Sequence, residues 1–199
     1  MRNRWRIILA VPVFFLLAAP ALAETPTAFV KGILDQVIAI QSDPKLAGPE
    51  HKPERARAIR QIIQRSFDFS LMARSSLGPV YERIGGGQRQ EFVNTFSYLF
   101  QESYTRMVLD FLKKETIKYN RELKEGRGAR VNTVLMRTNE TIPVDYLMRP
   151  QGPGWLLYDV VVDGVSILDN YKRQFSQVIQ TNSFEFLLNK MKTQMRALR

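Results

Sequence analysis

Cysteine is absent from this chain of 199 residues, and histidine occurs once. The lack of cysteine excludes disulfides, thiolate metal ligands and thiol nucleophiles. An oxidising compartment is tolerated, but stability has to come from the apolar core alone. His51 stands by itself in a Pro-rich loop, which leaves nothing for a histidine zinc site or a Ser–His pair. Gly85-Gly86-Gly87 is followed by no Gly-Lys-Ser/Thr and preceded by no strand, so it reads as a flexible turn and not a phosphate cradle. Internal repeats and low-complexity tails are missing. So is any apolar run of about 20 residues, the length that spans a bilayer. The longest uncharged apolar run, Ile7 to Ala19, is 13 residues.

That short run is informative in its place. Arg2, Arg4 and Arg6 precede it, and Ala21-Leu22-Ala23 follows as an A-x-A cleavage site before Glu24. This is the pattern of a cleaved export signal over residues 1–23. No cysteine follows the site, so the mature N-terminus cannot carry a lipid anchor. The expectation is an exported, soluble protein starting at Glu24, in the periplasm of a Gram-negative cell. Removing 23 of 199 residues leaves 176, the size of one domain, residues 24–199. The removed segment carries three Arg and no acid, so the formal charge falls from +10 to +7. An exported basic protein rarely meets nucleic acid. Anionic headgroups or an acidic protein suit it better.

Periodicity outlines the elements. Thr25-Pro26 reads as an N-cap with Pro at N1, ahead of a helix carrying Phe29, Val30, Ile33, Leu34, Val37 and Ile38. Residues 42–52 read as a loop. A second helix starts near Pro53 and buries Ile59, Ile62 and Ile63. A short helix after Phe67-Asp68 stops at Gly78-Pro79. From Gln88 to about Lys114 runs a long helix with a stripe of Phe92, Phe96, Leu99, Phe100, Tyr104, Met107, Val108 and Phe111. The stripe reads first as a core face, and alternatively as the wall of a ligand cavity. Strands are expected at Ile117–Leu123, Arg130–Arg137, Thr141–Met148 and Trp155–Val162, with a short one at Ser166–Leu168. Trp155–Val162 is apolar on both faces, as in a strand buried on both sides. Helices near Tyr171–Gln180 and Ser183–Leu198 close the chain. Helices followed by a sheet define an α+β domain.

Asp68, Asp145, Asp159 and Asp163 are the carboxylates worth following. Asp159 beside Tyr158 in an apolar strand could transfer protons, as a Tyr and a carboxylic acid do in ketosteroid isomerase. The structural alternative is an Asp that accepts backbone hydrogen bonds near the Asp163-Gly164 turn.

Several short motifs then fall in a specific order along the mature chain: Phe67-Asp68, Leu77-Gly78, Gln88-Arg89 with Glu91-Phe92, Phe96, Tyr104, and Val144 with Tyr146. They continue through Gly154-Trp155, Tyr158-Asp159-Val160, Gly164-Val165-Ser166, Asn170-Tyr171 and Gln174-Phe175. In this order and spacing the chain resembles the MlaC family, periplasmic phospholipid-binding (toluene-tolerance auxiliary) proteins of the lipid-asymmetry maintenance pathway. Two positions depart from the family pattern. Leu156 stands where a basic residue is common, and Lys172 precedes Arg173 where Arg often follows the Tyr directly. A hopanoid-associated paralogue is the alternative branch.

The resemblance implies a twisted antiparallel sheet of four to five strands wrapped by helices, a nuclear-transport-factor-like cone with an apolar cavity. It implies a phospholipid carrier that is not an enzyme, has no cofactor or metal, and holds phospholipid as cargo. Implied partners are an inner-membrane MCE-domain complex of an ABC transporter and an outer-membrane lipoprotein complex, with the carrier itself a monomer. The expected lipid-lining residues are Phe92, Phe96, Leu99, Phe100, Tyr104, Val144, Tyr146, Trp155, Leu157 and Val165. Two other classes of function compete with the carrier. One is a cone-type enzyme using Asp159 on a small apolar substrate. The other is an adaptor binding a partner through its basic face.

Overall fold

The computed structural model describes residues 24–112 and 115–198. The export signal read over residues 1–23, and the Lys113–Lys114 end assigned to the long helix, lie outside the described residues.

Among the described residues, seven α-helices and five strands follow in chain order. The helices α1 (Pro26–Ser42), α2 (Lys52–Ser66), α3 (Phe69–Leu77), α4 (Pro79–Arg83) and α5 (Gly86–Phe111) come first. The strands β1 (Thr116–Glu125), β2 (Gly128–Met136), β3 (Thr141–Gln151), β4 (Gly154–Val162) and β5 (Val165–Ser166) come next. Then α6 (Ile167–Thr181) and α7 (Phe184–Ala197) close the chain. The strands form one antiparallel meander in sequence order. This is the α+β class expected, an open sheet with helices packed on it.

Local chemistry sets the helix starts. Thr25 Oγ1 accepts from the Ala28 amide at 3.1 Å, with Pro26 at the first helical position. Asp68 caps α3 by accepting from Leu71 N at 3.0 Å. Its own amide donates to Leu157 O at 2.7 Å, and its carboxylate pairs with Arg149. One residue thus starts a helix and ties it to the sheet. Gly78 has φ +56°, a conformation open to glycine, and turns the chain between α3 and α4. Helix α4, unforeseen in the sequence, begins on Pro79, whose fixed φ suits a first turn.

Two further expectations need correction. The last short strand is Val165–Ser166, and residues 167–168 already belong to α6. The cause is Ser166, whose hydroxyl accepts from Asp169 N at 2.9 Å and so starts the helix. Strand β4 is also not buried on both faces. Leu157, Asp159 and Val160 are buried, but Leu156, Tyr158 and Val161 are only half-buried.

Register decides which side chains share a face. Thr133 pairs with Val144, and Val131 with Tyr146. Val144 pairs with Val162, and Tyr146 with Val160. Between Leu147 and Met148 the register shifts, so that Met148 meets Leu157 and Tyr158 is left as an extra residue. The bulge switches β4 from even to odd numbering on that face. Leu157 therefore stays on the same side as Val160 and Val162.

Candidate functional site

Between one face of the sheet and helices α1, α2 and α5 lies a cavity of about 330 Å³. Strand residues Thr133, Leu135, Ile142, Val144, Tyr146, Leu157, Val160 and Val162 form its floor. Leu34 and Val37 of α1, Ile59 and Ile63 of α2, and Phe100, Tyr104 and Val108 of α5 form its roof. At the C-terminal end of α5, Met107 and Phe111 also line it while remaining 37% and 56% exposed. Exposed large apolar side chains at a cavity rim mark an opening.

The interior carries polar atoms but no free charge. Thr133 Oγ1 donates to Val144 O at 2.9 Å. Burial, followed by the nearby Tyr171 and Asp159, raises the Tyr104 hydroxyl above its ordinary pKa. Burial raises that of Tyr146 as well, reinforced by Tyr119 and opposed by Thr133. Both phenols thus stay neutral at physiological pH. Arg137 is the cation at the edge. Its guanidinium lies 5.5 Å from the Phe111 ring centroid and donates to Phe111 O at 2.6 Å. It also pairs with Glu115 at 3.3 Å and with Glu140 at 3.7 Å. Greasy walls with a few neutral hydroxyls suit an alkyl ligand.

Phe100, Tyr104, Val144, Tyr146 and Leu157 line the cavity, whereas Phe92, Phe96, Leu99, Trp155 and Val165 do not. Phe92 stacks on Phe96 at 6.1 Å and meets Phe175 and Phe184 at 5.7 and 5.9 Å. Phe96 contacts Tyr171 at 5.2 Å. The N-terminal half of the α5 stripe is therefore packed against α6 and α7, and its C-terminal half borders the cavity. Leu99 is buried in the same core cluster. The indole N–H of Trp155 donates to Glu24 O at 2.7 Å, and Val165 is 55% exposed on the short edge strand. The lining residues of α1 and α2, Ile167, and Ile142 and Val160 were missing from the expected set. Apolar periodicity marked the helical ones as buried, but a cavity wall has the same periodicity as a filled core.

Asp159 takes the structural role. Oδ1 accepts from Val160 N at 2.9 Å and Leu168 N at 3.0 Å, and Oδ2 accepts from Ser166 Oγ at 2.6 Å. It holds the start of α6 and is absent from the cavity lining. Among the described residues no cluster of three or more His, Cys, Asp or Glu could hold a metal ion. No described helix is long and apolar enough to cross a membrane.

The sequence profile of the MlaC protein family matches residues 31–193. The chain belongs to the MlaC family. It is 23% identical over 198 residues to the intermembrane phospholipid transport system binding protein MlaC of Haemophilus influenzae, covering 95% of this chain and 92% of that protein. It is 23% identical over 169 residues to toluene tolerance protein ttg2D of Pseudomonas putida, covering 80% of this chain and 75% of that protein. Its fold matches the Ralstonia solanacearum phospholipid-binding protein, solved in complex with a phospholipid, with a TM-score of 0.70 at 21% identity. That match covers 88% of this chain and 99% of the other. At that identity the likeness establishes a shared fold.

Proposed function

We propose that the mature protein is a soluble periplasmic phospholipid carrier. It shelters acyl chains in the apolar cavity and passes lipid between an inner-membrane MCE-domain transporter complex and an outer-membrane lipoprotein complex. The observation that carries this reading is the largely apolar cavity, with Arg137 as its one charged lining residue and apolar Met107 and Phe111 exposed at its rim. The Haemophilus relative, named for intermembrane phospholipid transport, supports it, as does the phospholipid bound to the Ralstonia protein.

The energetics favour a carrier that never releases its cargo to water. Two tails with roughly 30 methylenes lose about 0.8 kcal/mol each on hydration, on the order of 24 kcal/mol in all. Handover therefore requires a protein–protein contact that keeps the tails covered. With Asp159 committed to three donors outside the lining, nothing here favours the cone-type enzyme.

The test is organic extraction of protein purified from its native envelope, with lipid mass spectrometry. A stoichiometric diacyl phospholipid is expected. Protein that is empty as isolated and also takes no phospholipid from vesicles would end the carrier reading.

A further inference from the structure

Beside the apolar cavity lies an open groove of about 1080 Å³, more than three times as large and quite different in character. Gln41 at the end of α1, Ala47 and Gly48 of the following loop, and Lys52 and Arg55 of α2 form one wall. The C-terminal turn of α5 and the paired ends of β1 and β2 form the other. The two spaces are direct neighbours. Val108 lines the cavity and Leu109 the groove, Ile117 the cavity and Thr116 and Lys118 the groove, Leu135 the cavity and Met136 the groove. Arg137 lines both.

The groove is lined by more cations than carboxylates. Lys52, Arg55, Lys118 and Arg137 line it against the carboxylates of Asp110 and Glu115. Some of these charges are already engaged. Arg55 donates to the carbonyls of Leu46 and Gly48, and Lys52 pairs loosely with Asp110 at 3.6 Å. The C-terminal carbonyls of α5, which would repel an anion, are covered. Gln41 Nε2 donates to Val108 O, Leu109 O and Leu112 O at 3.3, 3.1 and 2.8 Å. Arg137 itself has a replaceable partner, because Glu140 is 60% exposed and 3.7 Å away. Such a pair contributes little, whereas a guanidinium binds a phosphate oxygen through short charge-assisted hydrogen bonds.

We infer that this groove is a headgroup subsite. It receives the phosphodiester of the lipid whose tails occupy the cavity, with Arg137 at the junction and Lys118 and Lys52 along the groove. The inference rests on the carrier reading and adds to it a preference for phosphate-bearing over phosphate-free diacyl lipids. The covalent order of a glycerophospholipid suits this layout, because the phosphate follows directly on the glycerol that joins the tails.

The test is competition between phosphatidylglycerol and a diacylglycerol with the same acyl chains for the delipidated mature protein. Both are presented in non-ionic detergent, and bound species are read by native mass spectrometry. The wild type should prefer the phospholipid by about tenfold or more, the worth of one charge-assisted hydrogen bond. The exposed double variant Lys52→Gln, Lys118→Gln should lose most of that preference while still taking up diacylglycerol. Arg137→Gln should lose it too, and the lysine variant keeps the test valid if loss of the Glu115 pair unfolds that protein. Raising salt should weaken the preference through screening.

Equal uptake of the two lipids by the wild type, or an unaltered preference in the lysine variant, would overturn the subsite and leave the carrier standing. Uptake of neither lipid would overturn both. If equimolar inorganic phosphate abolished the preference, the groove would belong to free phosphate, and the headgroup assignment would fail.

Discussion

Asp159 is buried at 6% exposure yet satisfied by three donors, and it separates a structural carboxylate from a catalytic one. Replacing it with Ala orphans two backbone amides and should cost about 2–3 kcal/mol in a urea melt. Asn keeps one oxygen for those amides and offers Ser166 an N–H, so Asp159→Asn should stay within about 1 kcal/mol of wild type. Burial raises the Asp159 carboxyl above its ordinary value, against the pull of Ser166 and the Leu168 and Val160 amides. The folded protein then holds that proton more tightly than the unfolded chain does. Its contribution to stability is present in acid and fades as pH rises through the folded-state value. Urea midpoints of wild type should fall relative to Asp159→Asn across that window, and parallel curves would contradict the sign. A different test belongs to the cavity floor. Val144→Trp or Leu157→Trp adds bulk to a space of about 330 Å³. Either should leave the fold largely intact, at a cost of about 1–3 kcal/mol, and exclude acyl chains. Full co-purification of phospholipid with both variants would remove these residues from the site.

Helix α5 illustrates how one element serves two purposes. Its stripe was legible as apolar from spacing alone, and the sequence left core face and cavity wall as alternatives. Both occur, divided near Phe100, which meets Phe67 and Phe69 on one side and stacks on Tyr104 at 4.1 Å on the other. Periodicity could not locate that division, because it depends on where α6 and α7 stop covering the helix. The strands were legible to within a few residues, but the β4 bulge at Tyr158 was not, since a bulge leaves no mark on composition. Close approach between strands also yields a prediction. A Cβ on Gly128 would lie 2.3 Å from the Met148 carbonyl oxygen. Gly128→Ala should push β2 off β3 and cost about 2 kcal/mol or more in a thermal or urea melt. A neutral result would mean that the hairpin relaxes freely. The Gln41 bridge from α1 to the end of α5 should restrain opening at the rim. Gln41→Ala is expected to speed lipid exchange with vesicles by several-fold, and an unchanged rate would place the moving part elsewhere.

Lipid-free and loaded forms of the intact protein should differ in stability. Loading should raise the melting temperature, since a ligand that binds only the folded state stabilises it by mass action. Delipidation should reverse the change, read by calorimetry on the same sample. Equal melting temperatures in the two forms would mean that the folded protein holds no lipid.

The chain's own order of residues determined the α+β class, the strand succession, the family and the absence of cysteine chemistry. Each of these depends on local composition or on spacing along the chain. Tertiary structure alone decided that half of the α5 stripe faces empty space, that Asp159 braces the start of α6, and that Arg137 joins a greasy cavity to a charged groove. A void is defined by atoms that fail to meet. It arises only when segments distant in sequence stop short of one another, and no periodicity within a single segment records that distance.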